Sequence, residues 1–301
     1  MDTKQIEYML KIAEEKNITK AAEKLYITQS ALNQQLLKLE KELGAPIFNR
    51  SRTNWGPTEI GSIYLEAAKE IMHIKKQTYA QISDYIEKRK SKLSVAFTPG
   101  RGIDMFIHVY PAFHKLFPDI TVEPHELSVR QQQQMLKNGS IDLAFGTMVE
   151  DQRTDDEYVL LKKEEIYIIV PESLPIRELP VPEGGRFPTL ELKQLEKYPF
   201  VMIYKESTMR KVLDDVMEQY GLHPEILFET RMFTAIQDLV CAGECCSFLA
   251  GHYVRDGVPE GMKIYSFPKP VIWDVTVSYK KRSYLSKASA TFIRLVKEYW
   301  E

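Results

Sequence analysis

The spacing of apolar residues changes once along this chain, near residue 92, and that change constrains the fold more than any single motif. Up to about residue 88, apolar side chains recur every three or four positions, the period of helices packed on one side. From Leu93 onward, short apolar runs alternate with helical stretches, the pattern of a sheet carrying helices on its faces. The prediction is a helical arm followed by an α/β body. A chain of 301 residues has room for two or three such domains.

Within the arm the punctuation is fine-grained. Ile6, Met9, Leu10 and Ala13 share one face of a helix from Asp2 to Glu15, with Asp2 or Thr3 as its N-cap. Asn17-Ile18-Thr19 breaks the pattern, and Thr19 is predicted to cap a short helix, Lys20–Leu25. After the tight Tyr26-Ile27 connection, Thr28 caps a third helix whose inner face is Leu32, Leu36, Leu39 and Leu43, ended by Gly44. Two short helices joined by about three residues, the second polar outside, form the layout of a helix-turn-helix reader. A plain three-helix bundle with a solvated polar face fits the same spacing. Gln29, Ser30, Asn33 and Gln34 point outward, and amide side chains can bond adenine edges bidentately in a major groove. Thr28 and Lys38 belong to the same predicted DNA-binding set. The turn-rich stretch Phe48–Pro57 reads as a β-wing whose Arg50 and Arg52 can reach phosphates or a minor groove.

Thr58 then caps a helical pattern running to about Lys88. Ile60, Ile63, Ala67, Ile71, Ile74, Thr78, Ile82 and Tyr85 line one narrow stripe that must be buried against something, either its own domain or a coiled-coil-like partner. The basic run Lys88-Arg89-Lys90-x-Lys92 marks the boundary to the α/β body.

Together these residues carry a resemblance. Ala21-Ala22-x-x-Leu25-x-Ile27-Thr28-Gln29-Ser30-Ala31-Leu32, Gln35, Leu39-Glu40-x-x-Leu43-Gly44-x-Pro46-Ile47-Phe48-x-Arg50 and Thr58-x-x-Gly61 closely resemble the winged helix-turn-helix of LysR-type transcriptional regulators. The resemblance implies base-edge contacts from Gln29, Ser30, Asn33 and Gln34, and wing contacts from Arg50 and Arg52. Members often carry Arg where Gln34 stands, which removes the ground for a guanine contact there. The wing lacks a basic residue at Thr53, and Pro57 replaces the usual leucine. The implied domains are 1–61 for DNA binding, 62–92 for a self-pairing linker helix, and 93–301 for effector binding. The implied assembly is a homodimer or homotetramer on double-stranded DNA whose operator has approximate two-fold symmetry, with contact to RNA polymerase.

The body is predicted to run as strand Leu93–Phe97, helix Gly102–Phe117, strand Ile120–Leu127, helix Arg130–Lys137 and strand Asp142–Gly146. The plan repeats as Phe200–Ile203, Thr208–Tyr220, Ile226–Thr230, Phe233–Ala242 and Ser247–Leu249, then closes with Val275–Tyr279 and the helix Lys287–Trp300. A mostly parallel sheet is expected. Crossings near Tyr158–Val170 and Lys263–Pro270 would make two lobes, about 93–165 with 269–301 and about 166–268. The same family's effector domain, itself related to periplasmic binding proteins, is similar at Phe113-x-x-x-Phe117-Pro118-x-Ile120 and Gly139-x-Ile141-Asp142-Leu143-Ala144. Pro171–Thr189 holds five prolines and is longer than the family pattern.

Ligands of open α/β sheets sit beyond the C-terminal strand ends, against helix N-termini that favour anions. Thr98, Gly100 and Arg101 lie at one such end, Ser128 and Arg130 at a second, and Tyr204, Ser207 and Thr208 at a third. Thr147, Arg231 and Phe233 lie at similar positions. Any of these could be an ordinary helix cap; their convergence would make a pocket for a small anionic effector.

Bulk charge excludes little. The 40 basic and 42 acidic residues nearly cancel, yet residues 1–92 hold sixteen basic against twelve acidic side chains. No apolar run approaches the ~18–20 residues of a membrane span, and the charged N-terminus leads into no apolar segment, so no signal peptide is expected. Cys241, Cys245 and Cys246 are a poor disulfide framework and suit a reducing cytoplasm. Burial is the favoured reading of these thiols, with a redox sensor or a zinc site including His252 as alternatives. An enzyme is the rival class, but the six histidines are scattered and no HExxH, GxSxG, P-loop or GxGxxG appears, so no catalytic residue, metal or cofactor is assigned.

Overall fold

The computed structural model describes residues 2–50, 55–85, 92–255 and 257–301. The chain divides into two compact units, Met1–Lys88 with Lys137–Ser140 and Arg89–Leu136 with Ile141–Glu301.

The first unit comprises α1 (Thr3–Glu15), α2 (Ile18–Lys24), α3 (Gln29–Leu43), the hairpin strands β1 (Phe48–Arg50) and β2 (Trp55–Pro57), and α4 (Glu59–Tyr85). Asp2 caps α1 and Thr28 caps α3, each through a side-chain oxygen accepting from a backbone N–H. Asn17, not Thr19, caps α2: its Oδ1 accepts from both Thr19 N and Lys20 N, so the helix begins two residues earlier than its apolar pattern suggests. Gly44 ends α3 in the left-handed conformation at φ 73°. The core gathers Ile6, Met9, Ile12, Leu32, Leu36 and Leu39 around Ala21 and Ala22. Leu43 does not join them; it is exposed in the last turn of the helix. Trp55 stacks on Phe48 at 5.2 Å, which fixes the base of the hairpin. Gly61 is required where it stands, because a Cβ would lie 1.9 Å from the Ile47 carbonyl oxygen.

α4 presents two faces. Tyr64, Leu65, Ala68, Ile71 and Met72 pack on the helical core. Within this chain the predicted stripe is largely open, with Ile63 70% and Tyr85 89% exposed. The wing tip with Arg52, and the basic run at 88–91, lie outside the described residues.

The second unit is built on a seven-stranded sheet in the order β11-β6-β13-β5-β3-β4, with β12 also on β6. β3 (Lys92–Phe97), β4 (Thr121–Glu126) and β5 (Leu143–Met148) are parallel and joined through α5 (Arg101–Leu116) and α6 (Val129–Lys137). β6 (Glu157–Pro171) is a single long strand that changes partners. Its first part pairs antiparallel with β13 (Val271–Tyr279), and from Ile166 onward it pairs with β11 (Ser247–Ala250) and β12 (Met262–Tyr265). The sheet is therefore mixed and not mostly parallel, because the two crossing strands return against their neighbours. Between them, β7 (Glu178–Leu179) pairs with β8 (Thr189–Leu190). β9 (Phe200–Ile203) and β10 (Ile226–Thr230) form a parallel pair flanked by α7 (Thr208–Tyr220) and α8 (Phe233–Cys241), and α9 (Lys287–Trp300) closes the chain.

Two separate cores result. One holds Val95, Phe97, Phe113, Leu143, Val277 and Phe292; the other holds Ile168, Phe200, Leu213, Ile236, Leu249 and Phe267. β6 and the β12–β13 segment run between them.

Candidate functional site

The polar face of α3 is held outward by its apolar one. Leu32, Leu36 and Leu39 are fully buried, which leaves Thr28, Gln29, Ser30, Gln34 and Lys38 exposed and Asn33 half-buried. Thr28 Oγ1 accepts from Ala31 N and lies 3.1 Å from Ser30 Oγ, so the start of the helix is ordered by its own hydroxyls. The turn before it contains Tyr26 at φ 56° with its side chain 95% exposed, an unusual conformation for an aromatic residue.

Glu40 joins this helix to the wing. Its Oε1 accepts from Ile47 N at 3.0 Å, and its Oε2 accepts from Arg50 Nη2 at 2.5 Å. Arg50 is thus held by an internal partner while remaining 45% exposed. A spacing of ten residues between Glu40 and Arg50 gives no signal of this contact in the sequence. Thr58 closes the other side of the wing, donating to the Pro46 carbonyl and accepting from Gly61 N.

In the second unit the predicted effector residues separate into groups. Thr147 and Thr208 meet directly, the Thr208 hydroxyl donating to the Thr147 carbonyl at 2.7 Å. Gln152, which the sequence did not single out, strengthens this contact by donating from Nε2 to the Thr208 carbonyl at 2.9 Å. Tyr204 and Arg231 form a second pair, the guanidinium 4.7 Å from the ring centroid. Burial raises the Tyr204 hydroxyl above its ordinary pKa, and the Arg231 charge opposes that rise. Gly100 and Phe233 share a neighbour, Tyr253: the Phe233 and Tyr253 rings are 4.8 Å apart, and a Cβ on Gly100 would lie 2.9 Å from the Tyr253 hydroxyl. Ser128 and Ser207 serve their own helices. Ser128 donates to Gln131 Oε1, and Ser207 accepts from Met209 N as the N-cap of α7. Thr98 is half-buried at the end of β3, and Arg130 is exposed on α6.

Arg101, predicted to offer its charge to a ligand, is buried and paired through Nη2 with Glu164 at 2.6 Å, while its buried Nη1 has no hydrogen-bond partner. Glu164 Oε2 also accepts from Trp273 Nε1, and its Oε1 accepts from His252 N. The guanidinium lies 5.6 Å from the Trp273 and Trp300 ring centroids. A carboxylate deep in a strand needs such partners, since an unpaired buried charge costs far more than it returns. Glu164 and Glu165 end the charged run Lys162-Lys163-Glu164-Glu165 at the start of an apolar stretch, and only the fold supplied the cation.

Cys245 and Cys246 are buried and Cys241 is half-buried. Burial pushes the Cys246 thiol up to about 12, which keeps it protonated and unreactive at neutral pH. Among the described residues, no group of three or more His, Cys, Asp or Glu side chains could hold a metal ion, and no helix is long and apolar enough to cross a membrane. A cavity of about 370 Å³ lies beside Pro175, Ile176, Lys193, Lys197 and Tyr198, and none of the predicted effector residues lines it.

Comparison with known proteins adds the following. Residues 3–62 match the family described as bacterial regulatory helix-turn-helix protein, lysR family, and residues 87–301 match the LysR substrate binding domain. An uncharacterized HTH-type transcriptional regulator of Bacillus subtilis, YcgK, is 26% identical over 99% of this chain and 94% of its own length. A probable RuBisCO transcriptional regulator of Synechocystis is 27% identical over 97% of this chain and 84% of its own. Full-length OxyR from Pseudomonas aeruginosa, a cysteine-to-aspartate variant, shares the fold with a TM-score of 0.70 at 18% identity, over 100% of this chain and 94% of that one. Full-length CbnR in complex with its target DNA aligns with a TM-score of 0.57 at 20% identity, over 99% of both chains.

Proposed function

The chain belongs to the LysR family of transcriptional regulators, a family of DNA-binding proteins and not of enzymes, and from that premise we propose how its residues divide the work. Residues 1–61 read DNA, 62–92 carry the pairing helix, and 93–301 bind a small effector between lobes of about 93–165 with 269–301 and about 166–268. The observation that carries the reading is the exposed row Thr28, Gln29, Ser30, Gln34 and Lys38, backed by the fully buried Leu32, Leu36 and Leu39. Amides and hydroxyls on the leading turns of such a helix supply base-edge contacts, with Asn33 beside them, and Lys38 and the wing supply phosphate contacts. Residues 1–62 hold nine basic and eight acidic side chains, so affinity comes from a few placed cations and from pairing, not from a broad positive field.

The open stripe on α4, Ile60, Ile63, Ile74, Ile82 and Tyr85, is covered by the same helix of a second copy. Two readers then face an operator of approximate two-fold symmetry. The effector is a small anion. Arg130 and Arg231 are exposed cations that can meet it, with Tyr204 and Thr208 beside the α7 N-terminus. Arg101, paired with Glu164 through Nη2, keeps a buried Nη1 without a hydrogen-bond partner. Binding shifts an equilibrium between arrangements of the homo-oligomer, by no more than the effector's differential affinity for them, and so alters contact with RNA polymerase in the cytoplasm.

Gel retardation tests the central claim. The full chain at low salt, with competitor DNA, is expected to retard fragments of its own upstream region; retardation of none of them would sink it.

A further inference from the structure

The proline-rich segment between β6 and β9 is the part of the chain that the regulatory reading leaves unused. It is not a loose insertion. Gln194 pins it by accepting from Arg177 N and donating to the Arg177 carbonyl, as a neighbouring strand would. Glu178 accepts from the Tyr265 hydroxyl at 2.9 Å, and β7 pairs with β8.

Beyond β7 the segment crosses both strands that run between the two cores. On one side, the fully buried Ser266 lies in the β12–β13 segment. Its Oγ accepts from Arg186 N and Phe187 N, at 3.3 and 3.2 Å, and its own N–H donates to the Pro188 carbonyl at 2.9 Å. On the other side stands β6. Phe187 meets Tyr167 edge-to-face, with centroids 5.0 Å apart and rings at 89°. Glu165, also on β6, has a buried Oε1 with no hydrogen-bond partner. Burial raises its carboxyl above the ordinary range, against hydrogen bonds from Ser266, Tyr167 and the Arg186 backbone. Gly185 admits no side chain here: a Cβ would lie 2.7 Å from the Pro182 ring and 3.1 Å from Ser266 Oγ.

The stretch Arg186–Pro188 therefore touches both crossing strands at the position where β6 passes from one core to the other, with Phe187 meeting Ser266 on one side and Tyr167 on the other. Ile166 pairs with Val271 on one side and Ala250 on the other, next to Glu165. Movement of one core against the other must bend β6 and the β12–β13 segment together, and anything fastened to both resists that bend. Prolines suit such a part, since a fixed φ lowers the entropy lost on fastening.

We propose that residues 171–189 form a strap buckled at Ser266 and Tyr167, which ties the two crossing strands together and sets how readily the two cores rotate. Its stiffness adjusts the free-energy gap between the arrangements that an effector selects, so the strap tunes the response without touching the ligand. The proposal rests on the two-lobed reading of the second unit.

Amide hydrogen exchange on the full chain tests it without knowledge of the effector. Ser266→Ala removes the acceptor for two backbone N–H groups. It is expected to speed exchange about tenfold in 186–190, in β6 from Ile166 to Val170 and in 264–272, with α5 and α7 unchanged. Phe187→Leu, a milder change, is expected to give the same pattern with smaller amplitude, and it decides the matter if the serine variant does not fold. Acceleration confined to 178–190, or spread evenly over the whole unit, would overturn the strap. Crossing strands that in the native chain exchange only together with α5 and α7 would overturn the two-lobed reading itself.

Discussion

Arg101 and Glu164 meet at 2.6 Å with side chains only 7% and 5% exposed, joining the first turn of α5 to the crossing strand β6. Removing one partner strands the other charge in the interior. Glu164→Ala and Arg101→Ala are each expected to lower unfolding free energy by about 3–5 kcal/mol, read by urea denaturation. If Arg101→Ala left stability unchanged and weakened binding of small anions, the residue would be a ligand contact after all.

Glu40 organises the wing from the reader helix, through Ile47 N and Arg50. Glu40→Ala is expected to weaken operator binding although it removes a negative charge, because the wing loses its orientation. Arg50→Ala removes a cation, and the slope of log affinity against log salt should become shallower by about one. Tighter binding by Glu40→Ala would mean that the carboxylate only repels phosphate.

Asn33 and Gln34 sit on the same outward turn as Ser30. Alanine at either is expected to change the base preference found by binding-site selection, at roughly 1–3 kcal/mol for the affected position. Lys38→Ala should instead weaken all sequences evenly. An unchanged selection profile for both amide variants would move the reading face elsewhere.

His252 gives the fold an acid sensitivity. Burial, reinforced by the Arg101 charge, pushes its pKa down to about 4 from 6.5, so the native state holds the neutral ring. Between these values the unfolded chain binds a proton that the native chain refuses. Its contribution to stability is full above pH 6.5 and declines by about 3 kcal/mol as pH falls to 4. Thermal melts of His252→Gln should lose that part of the pH dependence; an unchanged profile would exclude the histidine as its source.

Much of the architecture was legible in the residues. The bounds of α7, β9, β10 and α9 follow directly from apolar period, caps and turn residues. The α2 boundary failed because Asn17 and Thr19 are both good caps, and only the geometry of the turn selects between them. The mixed sheet was missed because period-two apolar runs carry no strand direction. Ser128 and Ser207 illustrate a further limit: a hydroxyl before a helix looks the same whether it serves a ligand or the helix.

The sequence alone determined the local elements and the polar row on α3, since both depend on neighbours three or four positions away. Charged side chains must find partners or water, and the sequence does not say which. Tertiary structure decided who those partners are. Arg101 reaches Glu164 across 63 residues, Arg50 turns back to Glu40, and Ser266 takes the Arg186 and Phe187 amides from 80 and 79 residues away. Ion pairs and hydrogen bonds act over about 3 Å. Which charges bind an external molecule and which are spent inside is therefore set by the path of the chain through space.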